Sequence, residues 1–300
     1  MPLFSPFCRL TRRQQWDIHA IRSALATALL LLAAAPALAQ DAVISHAEQP
    51  SRLIRKTTIL QAPAGVRLQS GDIVESGARP VQIEWSNGVR LALGPASSVL
   101  VNDAGGAPSA SLLRGWSKFA TTAPVGKQLA FDAGLLSLRA AGASGIVRLA
   151  SDKTELFVES GVVPVTDTGP GGGRRVEVGR EQYAARSATL PLAVAPRAPR
   201  LFIEQLPRAF LDPLVAVARR APATAPTPQR EVATADIVAW NDAGPAARKR
   251  LAGQFATRLA DATFRNEAED VLATLPEWRD ALRRQRAAKV RATAPLNHLF

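Results

Sequence analysis

Short apolar runs follow one another from Ile59 to about Ala184, and Gly, Asn, Asp or Pro residues separate them. Residues 81–85 alternate apolar and polar side chains, which predicts a strand with one buried face and one wet face. Asn87-Gly88 readily adopts the positive φ angles of a tight hairpin turn, so residues 89–93 are expected to form the returning strand. Further strands are predicted at 98–101, 135–138, 145–149, 155–158 and 175–178. The spacing is too short for helices and indicates stacked strands in a solenoid-like or sandwich-like arrangement.

The composition changes after Leu190, where prolines cluster at 191–199 and again at 222–228. Such clusters are typical of linkers. Between the two clusters an apolar residue recurs at every fourth position, which predicts short helical turns. These residues are Phe202, Leu206, Phe210 and Leu214, and Pro207 and Pro213 are expected to interrupt the turns.

Helices are predicted to dominate from Thr234 onward. We expect Thr234 to cap the first helix, Asp242 the second and Asp261 the third, because their side-chain oxygens can accept the free N–H groups of a first turn. Pro276 is expected to open a fourth helix, since proline fits the first helical position. The basic end of the chain, residues 283–300, is expected to fray.

Arginines at positions 9, 12, 13 and 22 precede an uncharged run rich in Leu and Ala, residues 23–39. The run ends in Ala37-Leu38-Ala39, the small-x-small pattern that signal peptidase accepts. It is shorter than the roughly 20 apolar residues of a membrane-spanning helix. We therefore expect a signal peptide cleaved after Ala39 or Gln40, and a periplasmic or secreted protein with no stable membrane span after processing. The alternative is an uncleaved segment that anchors the protein in the inner membrane.

Five segments are thus predicted along the chain: a signal peptide at 1–40, an N-terminal lead-in at 41–58, a β domain at 59–190, a proline-rich linker with short helical turns at 191–230 and a helical region at 231–300. The fold class is α+β, with a β-rich stacked-strand domain followed by a small helical C-terminal region. The single cysteine, Cys8, lies in the predicted signal peptide. The processed chain therefore has no disulfide, and a packed core must supply its stability.

Catalytic chemistry is poorly supported by the residue types that the processed chain contains. A nucleophile needs a nearby base, most often His, and only His46 and His298 remain, each near a terminus. Two distant histidines without cysteine cannot supply the usual zinc ligands. Asp72 and Glu75 are a candidate carboxylate pair for acid–base work or calcium, but an Asp after Gly at a strand entrance is typically a turn residue. We predict that the protein is not an enzyme and uses no cofactor or metal.

Tryptophans are the candidate contact residues, because exposed tryptophans in β domains often stack on sugars or anchor protein interfaces. The candidates are Trp85 and Trp116 in the β domain and Trp240 and Trp278 in the helical region. Their apolar neighbours favour the alternative, a position in the core. Trp240 and Trp278 belong either to a partner-binding groove or to the small core that holds the helices together or docks them on the sheet.

Four segments of the β region occur in a characteristic order: Leu68–Val74 with Gly77, Trp85–Pro95, Leu113–Gly115 and Thr154–Val165. The region that contains them, roughly residues 66–183, resembles the FecR-like domain, a periplasmic domain type first associated with ferric-citrate signal transduction. The resemblance implies a stacked β architecture and a role in contacting another macromolecule. Sigma regulators of this family also carry a cytoplasmic domain and a membrane helix, whereas only 22 residues precede the apolar run here.

The net charge of +12 becomes +9 without residues 1–40, which hold four arginines and one aspartate, and most of it is arginine beyond residue 185. The basic residues are dispersed and aromatics are scarce, so nucleic acid is not favoured as a partner. We expect an exported, non-catalytic binding module of the bacterial envelope that contacts an envelope protein or a cell-wall or lipopolysaccharide polymer. The alternative function is a membrane-anchored regulator of trans-envelope signalling of the sigma-factor type.

Overall fold

The computed structural model describes residues 42–122, 128–151, 153–217 and 222–293. The described residues belong to one compact unit, Gln40–Phe300. The predicted signal peptide, with Ala37 and Ala39, and the distant His298 lie outside the described residues, so the predictions made for them stay predictions. Within the described ranges, no helix combines the length and the apolar character needed to cross a membrane.

Two β-sheets pack against each other and share one long strand. The front sheet contains, in spatial order, β1 (Ala42–Ala47), β5 (Val81–Trp85), β6 (Arg90–Leu93), β8 (Ser109–Ala120), β11 (Ser144–Ala150), β12 (Lys153–Ser160), β15 (Tyr183–Ser187) and β16 (Ala193–Ala195). The back sheet contains β17 (Thr227–Glu231), β3 (Thr58–Ala62), β2 (Ser51–Arg55), β4 (Ile73–Glu75), β7 (Ser98–Asp103), β8, β9 (Leu129–Ala133), β10 (Leu136–Ala140), β13 (Val162–Asp167) and β14 (Arg175–Gly179). All these pairs are antiparallel except β8 with β9, which is parallel.

The shared strand β8 changes sheets at Gly115. Its first half pairs with β7 and β9 in the back sheet, and its second half pairs with β6 and β11 in the front sheet. Gly115 has a φ of 83°, a left-handed conformation that favours glycine. A side chain at this position would also collide with Ser97, whose hydroxyl accepts the N–H of Trp116 over 2.8 Å. Glycine therefore lets one strand serve both sheets.

Apolar side chains from both sheets fill the space between them. Along β5 the inward residues are Val81, Ile83 and Trp85, which alternate with polar ones as the sequence predicts. Further core residues are Leu53, Val99, Phe119, Phe131, Leu138, Val147, Leu156 and Val165. The predicted hairpin is also confirmed, because Val81 pairs with Leu93. The α+β, β-rich fold class is therefore confirmed as a sandwich-like stack of strands followed by helices.

Helices occupy the last third of the chain. The α-helices are α1 (Arg200–Glu204), α2 (Thr234–Val238), α3 (Pro245–Gln254), α4 (Ala262–Val271) and α5 (Pro276–Thr293), and two 3-10 turns span Arg208–Phe210 and Ala256–Ala260. The short turns predicted in the proline-rich linker are thus present, and Phe202 and Phe210 are buried on them. The C-terminal region is ordered further than expected, because α5 continues to Thr293, through residues predicted to fray.

The helical region lies on the outer face of the back sheet. Five apolar side chains of that sheet point away from the core between the sheets: Ile54, Ile59, Ile73, Leu100 and Leu113. They form one cluster with residues of the helices, among them Trp240, Phe255 and Trp278, each almost wholly inaccessible to water. The aromatic residues of the tail therefore build a small core and dock the helices on the sheet, because neither surface can stay exposed alone.

Helix capping matches the sequence prediction at one position and differs at two. Asp261 caps α4, because its Oδ1 accepts the N–H of Phe264 over 3.0 Å. Thr234 is not a cap, since it is the first residue of α2 and its hydroxyl reaches the carbonyl oxygen of residue 264 instead. Asp242 is not a cap either, because α3 begins at Pro245 and Gly244 precedes it. Proline fits that first position better, as it has no N–H to satisfy.

The segment 41–58, predicted as a lead-in, contains two strands that belong to the sandwich. β1 is an edge of the front sheet and pairs with β5, and β2 lies inside the back sheet between β3 and β4. Ala42, Ile44, Leu53 and Ile54 are all inaccessible to water. The β domain therefore begins before residue 59, because these strands bury their apolar side chains on both sides of the fold.

Candidate interaction face

Asp72 is a structural residue in the turn before β4. Its carboxylate accepts hydrogen bonds from Arg55 Nε (3.0 Å) and Nη2 (2.6 Å), and its Oδ2 also accepts one from the N–H of Gln69 (2.8 Å). The side chain is almost fully buried. The interpretation as a turn residue is confirmed, because the carboxylate bonds the backbone three residues upstream.

Glu75 is held at the boundary between the back sheet and the helices. Oε1 accepts the hydroxyl of Ser98 over 2.8 Å and the indole N–H of Trp240 over 3.1 Å, and Oε2 pairs with Arg52 Nη1 over 2.8 Å. Arg114 Nη2 lies 3.6 Å from Oε1. Asp72 and Glu75 therefore bond to different arginines, and each carboxylate already has its donors in the fold.

Metal-ligating side chains are not gathered in the described part of the chain. His46 lies exposed in β1, and no three His, Cys, Asp or Glu residues of the described ranges are grouped so as to hold an ion.

Three of the four candidate tryptophans lie in cores. Trp85 is 2% exposed between the sheets and donates its Nε1–H to the carbonyl oxygen of Asp103 over 3.1 Å. Trp240 and Trp278 are each 1% exposed between the back sheet and the helices, where Trp240 stacks on Phe255. Each ring would have to leave its core before a partner could touch it.

Trp116 lies instead on the outer face of the front sheet, where it is partly buried. The ring centroid of Phe202 lies 5.2 Å away, and the guanidinium of Arg148 lies 5.0 Å above the indole ring. Tyr183 packs edge-on against the same Phe202 at 5.4 Å. Helix α1 therefore covers an aromatic patch of the front sheet, with Phe202 as its central contact.

Tyr183 is the polar member of this patch. Its hydroxyl donates to Glu155 Oε1 over 2.5 Å, and Lys153 Nζ donates to the same oxygen over 2.7 Å. Burial raises the pKa of the Tyr183 phenol far above its ordinary value, and the hydrogen bond and the negative charge of Glu155 raise it further. The phenol therefore stays protonated at neutral pH and acts as a hydrogen-bond donor.

Residues 208–217, here called the strap, cross the front sheet beside the aromatic patch. The carbonyl oxygens of Phe210 and Asp212 accept hydrogen bonds from Lys118 Nζ over 2.7 Å and 3.0 Å. Three more bonds follow along the strap: Arg90 Nη1 to the carbonyl oxygen of Leu214 (2.7 Å), Gln82 Nε2 to that of Val215 (2.8 Å), and the N–H of Val217 to Glu84 Oε1 (2.7 Å). Beyond Phe210 the strap is neither helix nor strand. Polar side chains of the sheet thus hold the irregular chain of the strap by its backbone.

The outer face of β5 is therefore buried, and the prediction of a wet face is wrong. Gln82 and Glu84 are only 9% and 6% exposed, and Lys118 on β8 is 2% exposed. The strap covers these residues and satisfies their polar atoms, which is what allows them to leave water. Nothing in residues 81–85 reveals this cover, because the strap lies more than 120 residues later in the sequence.

A cavity of about 350 Å³ lies beside the strap. Its lining includes Arg90, Lys118, Thr121, Ser144, Glu159 and Leu211. The Nε of Arg90 is buried without a hydrogen-bond partner. Such a donor is costly to leave unpaired, so this end of the strap contact is incomplete.

Exposed apolar side chains are concentrated in residues 190–215, which contain the edge strand β16, helix α1 and most of the strap. Of the ten large apolar residues exposed in the described part of the chain, six lie between positions 190 and 215. They are Leu190, Val194, Leu201, Ile203, Leu211 and Val215. We call these six side chains the apolar face. Singly exposed apolar residues are ordinary, whereas contiguous apolar surface is typical of a contact site.

Comparison with known proteins gives little beyond this geometry. No family model matches the sequence, and no curated protein matches it. Two solved structures of a candidate anti-sigma factor from Parabacteroides distasonis are similar in part, with TM-scores of 0.36 and sequence identities of 13% and 12%. Each alignment covers 42% of this chain and 59% of that protein.

Proposed function

We propose that this protein is an exported, non-catalytic binding module of the bacterial envelope, and that it binds another protein through the apolar face at residues 190–215. The observation that carries the proposal is the apolar face, which places six large side chains in water along residues 190–215. Burying such side chains against a partner releases about 25 cal/mol for each Å² of apolar surface. A protein surface is the partner that best complements an apolar face, whereas a wall polymer would call for exposed aromatic rings or charge.

The candidate catalytic groups fit a binding role better than chemistry. Both carboxylates singled out in the sequence, Asp72 and Glu75, are engaged by arginines in the fold. Tyr183 keeps its proton, so it cannot serve as a base near neutral pH. The charged groups of this sandwich are thus used to fix its own elements.

Export is tested separately, because it depends on the first 40 residues. We expect N-terminal sequencing of the protein from its native host to give Gln40 or Asp41 as the first residue. A protein that keeps its first segment and stays with the inner membrane would support the second candidate function, an anchored regulator of trans-envelope signalling.

Binding is tested by capture from an envelope extract of the source bacterium. The chain from Gln40 onward, which forms a compact unit, is immobilised as the wild type, as Leu201→Glu/Ile203→Glu and as Val238→Glu/Val271→Glu. Leu201 and Ile203 belong to the apolar face, whereas Val238 and Val271 are exposed on the helical region. We expect one protein partner that the wild type and the helix variant retain and the face variant loses. Capture of no specific protein, or equal capture by all three, would overturn the proposal.

A further inference from the structure

We propose that the polar residues beneath the strap form a peptide-binding groove. In this structure the strap occupies the groove, and in a complex an irregular, proline-containing segment of the partner takes its place. The groove consists of Gln82, Glu84, Arg90 and Lys118, on three adjacent strands of the front sheet. The inference rests on the proposed function in one respect, that the partner is a protein.

The groove recognises main-chain atoms. Each of its five hydrogen bonds to the strap goes to a carbonyl oxygen or an N–H group, which every peptide carries. Main-chain recognition supplies affinity for an extended peptide largely independently of its side chains. Pro213 lies in the middle of the strap and has no N–H, so this part of the strap offers carbonyl acceptors to donors of the sheet. A partner segment of the same character can therefore make the same bonds.

One buried side chain of the strap, Phe210, is the residue by which the groove can select a peptide sequence. Phe210 is 1% exposed and belongs to the outer cluster with Phe202 and Tyr183. Leu211, Asp212, Pro213 and Val215 are exposed, whereas Leu214 is partly buried against the same cluster. The partner segment is thus expected to carry an aromatic residue, then a proline three positions later and an aliphatic residue next to it.

Exchange of the strap is physically easier than release of the helical region. The residues under the strap are Gln82, Glu84, Arg90 and Lys118, which water solvates when the strap leaves. The helices instead cover Ile54, Ile73 and Leu113 on the back sheet, and releasing them would expose apolar surface. The two covers therefore differ in proportion: apart from Phe210 and Leu214, which pack on the outer aromatic cluster, the strap covers polar side chains, whereas the helices cover an apolar face.

The strap also leaves volume unfilled beside the groove. The cavity beside the strap is lined by both Arg90 and Lys118, and the buried Nε of Arg90 lacks an acceptor in the present packing. A bulkier peptide side chain would occupy this cavity, which the strap does not fill. The strap is thus an imperfect occupant, which favours its replacement by a better-fitting segment.

The test uses a fluorescent synthetic peptide with the sequence of residues 207–217 and the chain from Gln40 onward. In the wild type the tethered strap competes at a high effective concentration, so we expect weak binding by fluorescence anisotropy. Phe210→Ala in the protein removes the anchor of the tethered strap while the peptide keeps its own. We expect this variant to bind the peptide at least about tenfold more tightly. Circular dichroism confirms that the variant is folded, and Leu214→Ala replaces it where it is not.

Two further variants identify the groove. In the Phe210→Ala background, Lys118→Met is expected to weaken peptide binding about tenfold or more, since it removes the donor to two carbonyls. Lys153→Met is the matched control, because Lys153 contacts Glu155 and Tyr183 and not the strap. Equal effects of the two lysine variants would place the peptide elsewhere and overturn the proposal.

Two other outcomes would also overturn it. A folded Phe210→Ala variant that binds the peptide no better than the wild type would show that the groove does not exchange its tethered strap for a free peptide. Concentration-dependent dimers of the variant without peptide binding would make a second copy of this chain the occupant. The envelope capture described above depends on Leu201 and Ile203, outside the groove, so it can succeed or fail independently of the peptide measurement.

Discussion

The indole Nε1 of Trp240 donates a hydrogen bond to Oε1 of Glu75 over 3.1 Å and so joins the helical region to the back sheet across 165 positions of sequence. Both residues are buried, at 1% and 5% exposure, so water cannot replace the donor if it is lost. Ser98 and Arg52 bond to the same carboxylate from the sheet side. Glu75 is therefore the point at which strand, helix and charge network meet.

Replacement of Trp240 by Phe tests this joint. We expect Trp240→Phe to lower the free energy of unfolding by about 1 to 3 kcal/mol, because a buried carboxylate loses a hydrogen-bond donor. Urea denaturation of the chain from Gln40 onward measures the loss. Trp278→Phe is the control, since it makes the same change in the same core and leaves the donors of Glu75 intact. Equal losses in the two variants would mean that ring volume, and not the hydrogen bond, decides the effect.

The helical region is also fixed by Asp236, which titrates at an unusually low pH. Burial alone would raise the pKa of this carboxyl, but the hydrogen bonds from Arg230 and the N–H of Ala233, with the charge of Arg52, outweigh it and lower the pKa to about 2. The unfolded chain binds the proton more tightly, so Asp236 stabilises the fold above about pH 4 and loses this effect as the pH falls towards 2.

Asp236→Asn is therefore expected to lower stability at neutral pH by about 1 to 2 kcal/mol and to flatten the fall in stability between about pH 4 and pH 2. Urea denaturation at a series of pH values measures both effects. Glu231→Gln is a suitable control, because Glu231 is an exposed carboxylate on β17 whose side chain bonds Thr58. Parallel pH profiles for the wild type and Asp236→Asn would contradict the prediction.

Local signals in the sequence predict the strands well and the covers of the sheets poorly. The hairpin at Asn87-Gly88 is predictable because alternation and turn chemistry lie within a dozen residues. Strands β1 and β2 lie in the segment predicted as a lead-in. β1 pairs with β5, far along the sequence, and β2 joins β3 through the two-residue turn Lys56-Thr57, which lacks the Gly or Asn that marks a hairpin. Distant pairing and a turn without the usual residues both leave little local signal, so such strands are hard to detect.

The candidate site shows the same limit. Alternation along β5 correctly assigns Ile83 and Trp85 to the core, but a polar residue opposite them is normally taken as wet. Gln82 and Glu84 are buried because residues 214–217 return to them. Only the unusual number of apolar residues at 201–217, within a proline-rich linker, hints that this segment packs on something.

Tyr183 allows a direct optical test of the outer aromatic patch, because it is the sole tyrosine of the chain. Burial and Glu155 raise its pKa above the ordinary value of about 10. The folded state therefore holds the phenol proton more tightly than the unfolded state. Protonated Tyr183 thus contributes to the free energy of unfolding below about pH 10, and this contribution is lost as the pH rises above that value. We expect the phenolate absorbance to appear above pH 10, together with loss of near-ultraviolet circular dichroism.

Glu155→Gln provides the comparison, since it keeps a hydrogen-bond acceptor beside Tyr183 and removes the negative charge. We expect the phenol of this variant to titrate at lower pH than in the wild type, but still above its ordinary value because burial remains. A wild-type tyrosine that titrates near pH 10 in the folded protein would place Tyr183 in contact with water and contradict the packing under α1.

Limited proteolysis tests the strap within the intact chain. Arg208, at the start of the strap, is exposed, and the next contacts are the carbonyls of Phe210 and Asp212 held by Lys118. Lys118→Met removes a charged donor to both, so we expect trypsin to cut after Arg208 roughly tenfold faster under native conditions, as cleavage follows the population of locally open chains.

The same variant should lower global stability much less than it opens the strap, because the ion pair that it also removes, Lys118 with Glu159, has a partly exposed carboxylate. The strap covers polar side chains, and its opening hydrates them without exposing the core between the sheets. Lys153→Met controls for the loss of one lysine, and mass spectrometry identifies the cut at Arg208. Urea denaturation measures global unfolding, and a cleavage rate that rises only in proportion to it would mean that the strap opens with the whole domain. The outer face of the front sheet would then not become accessible separately.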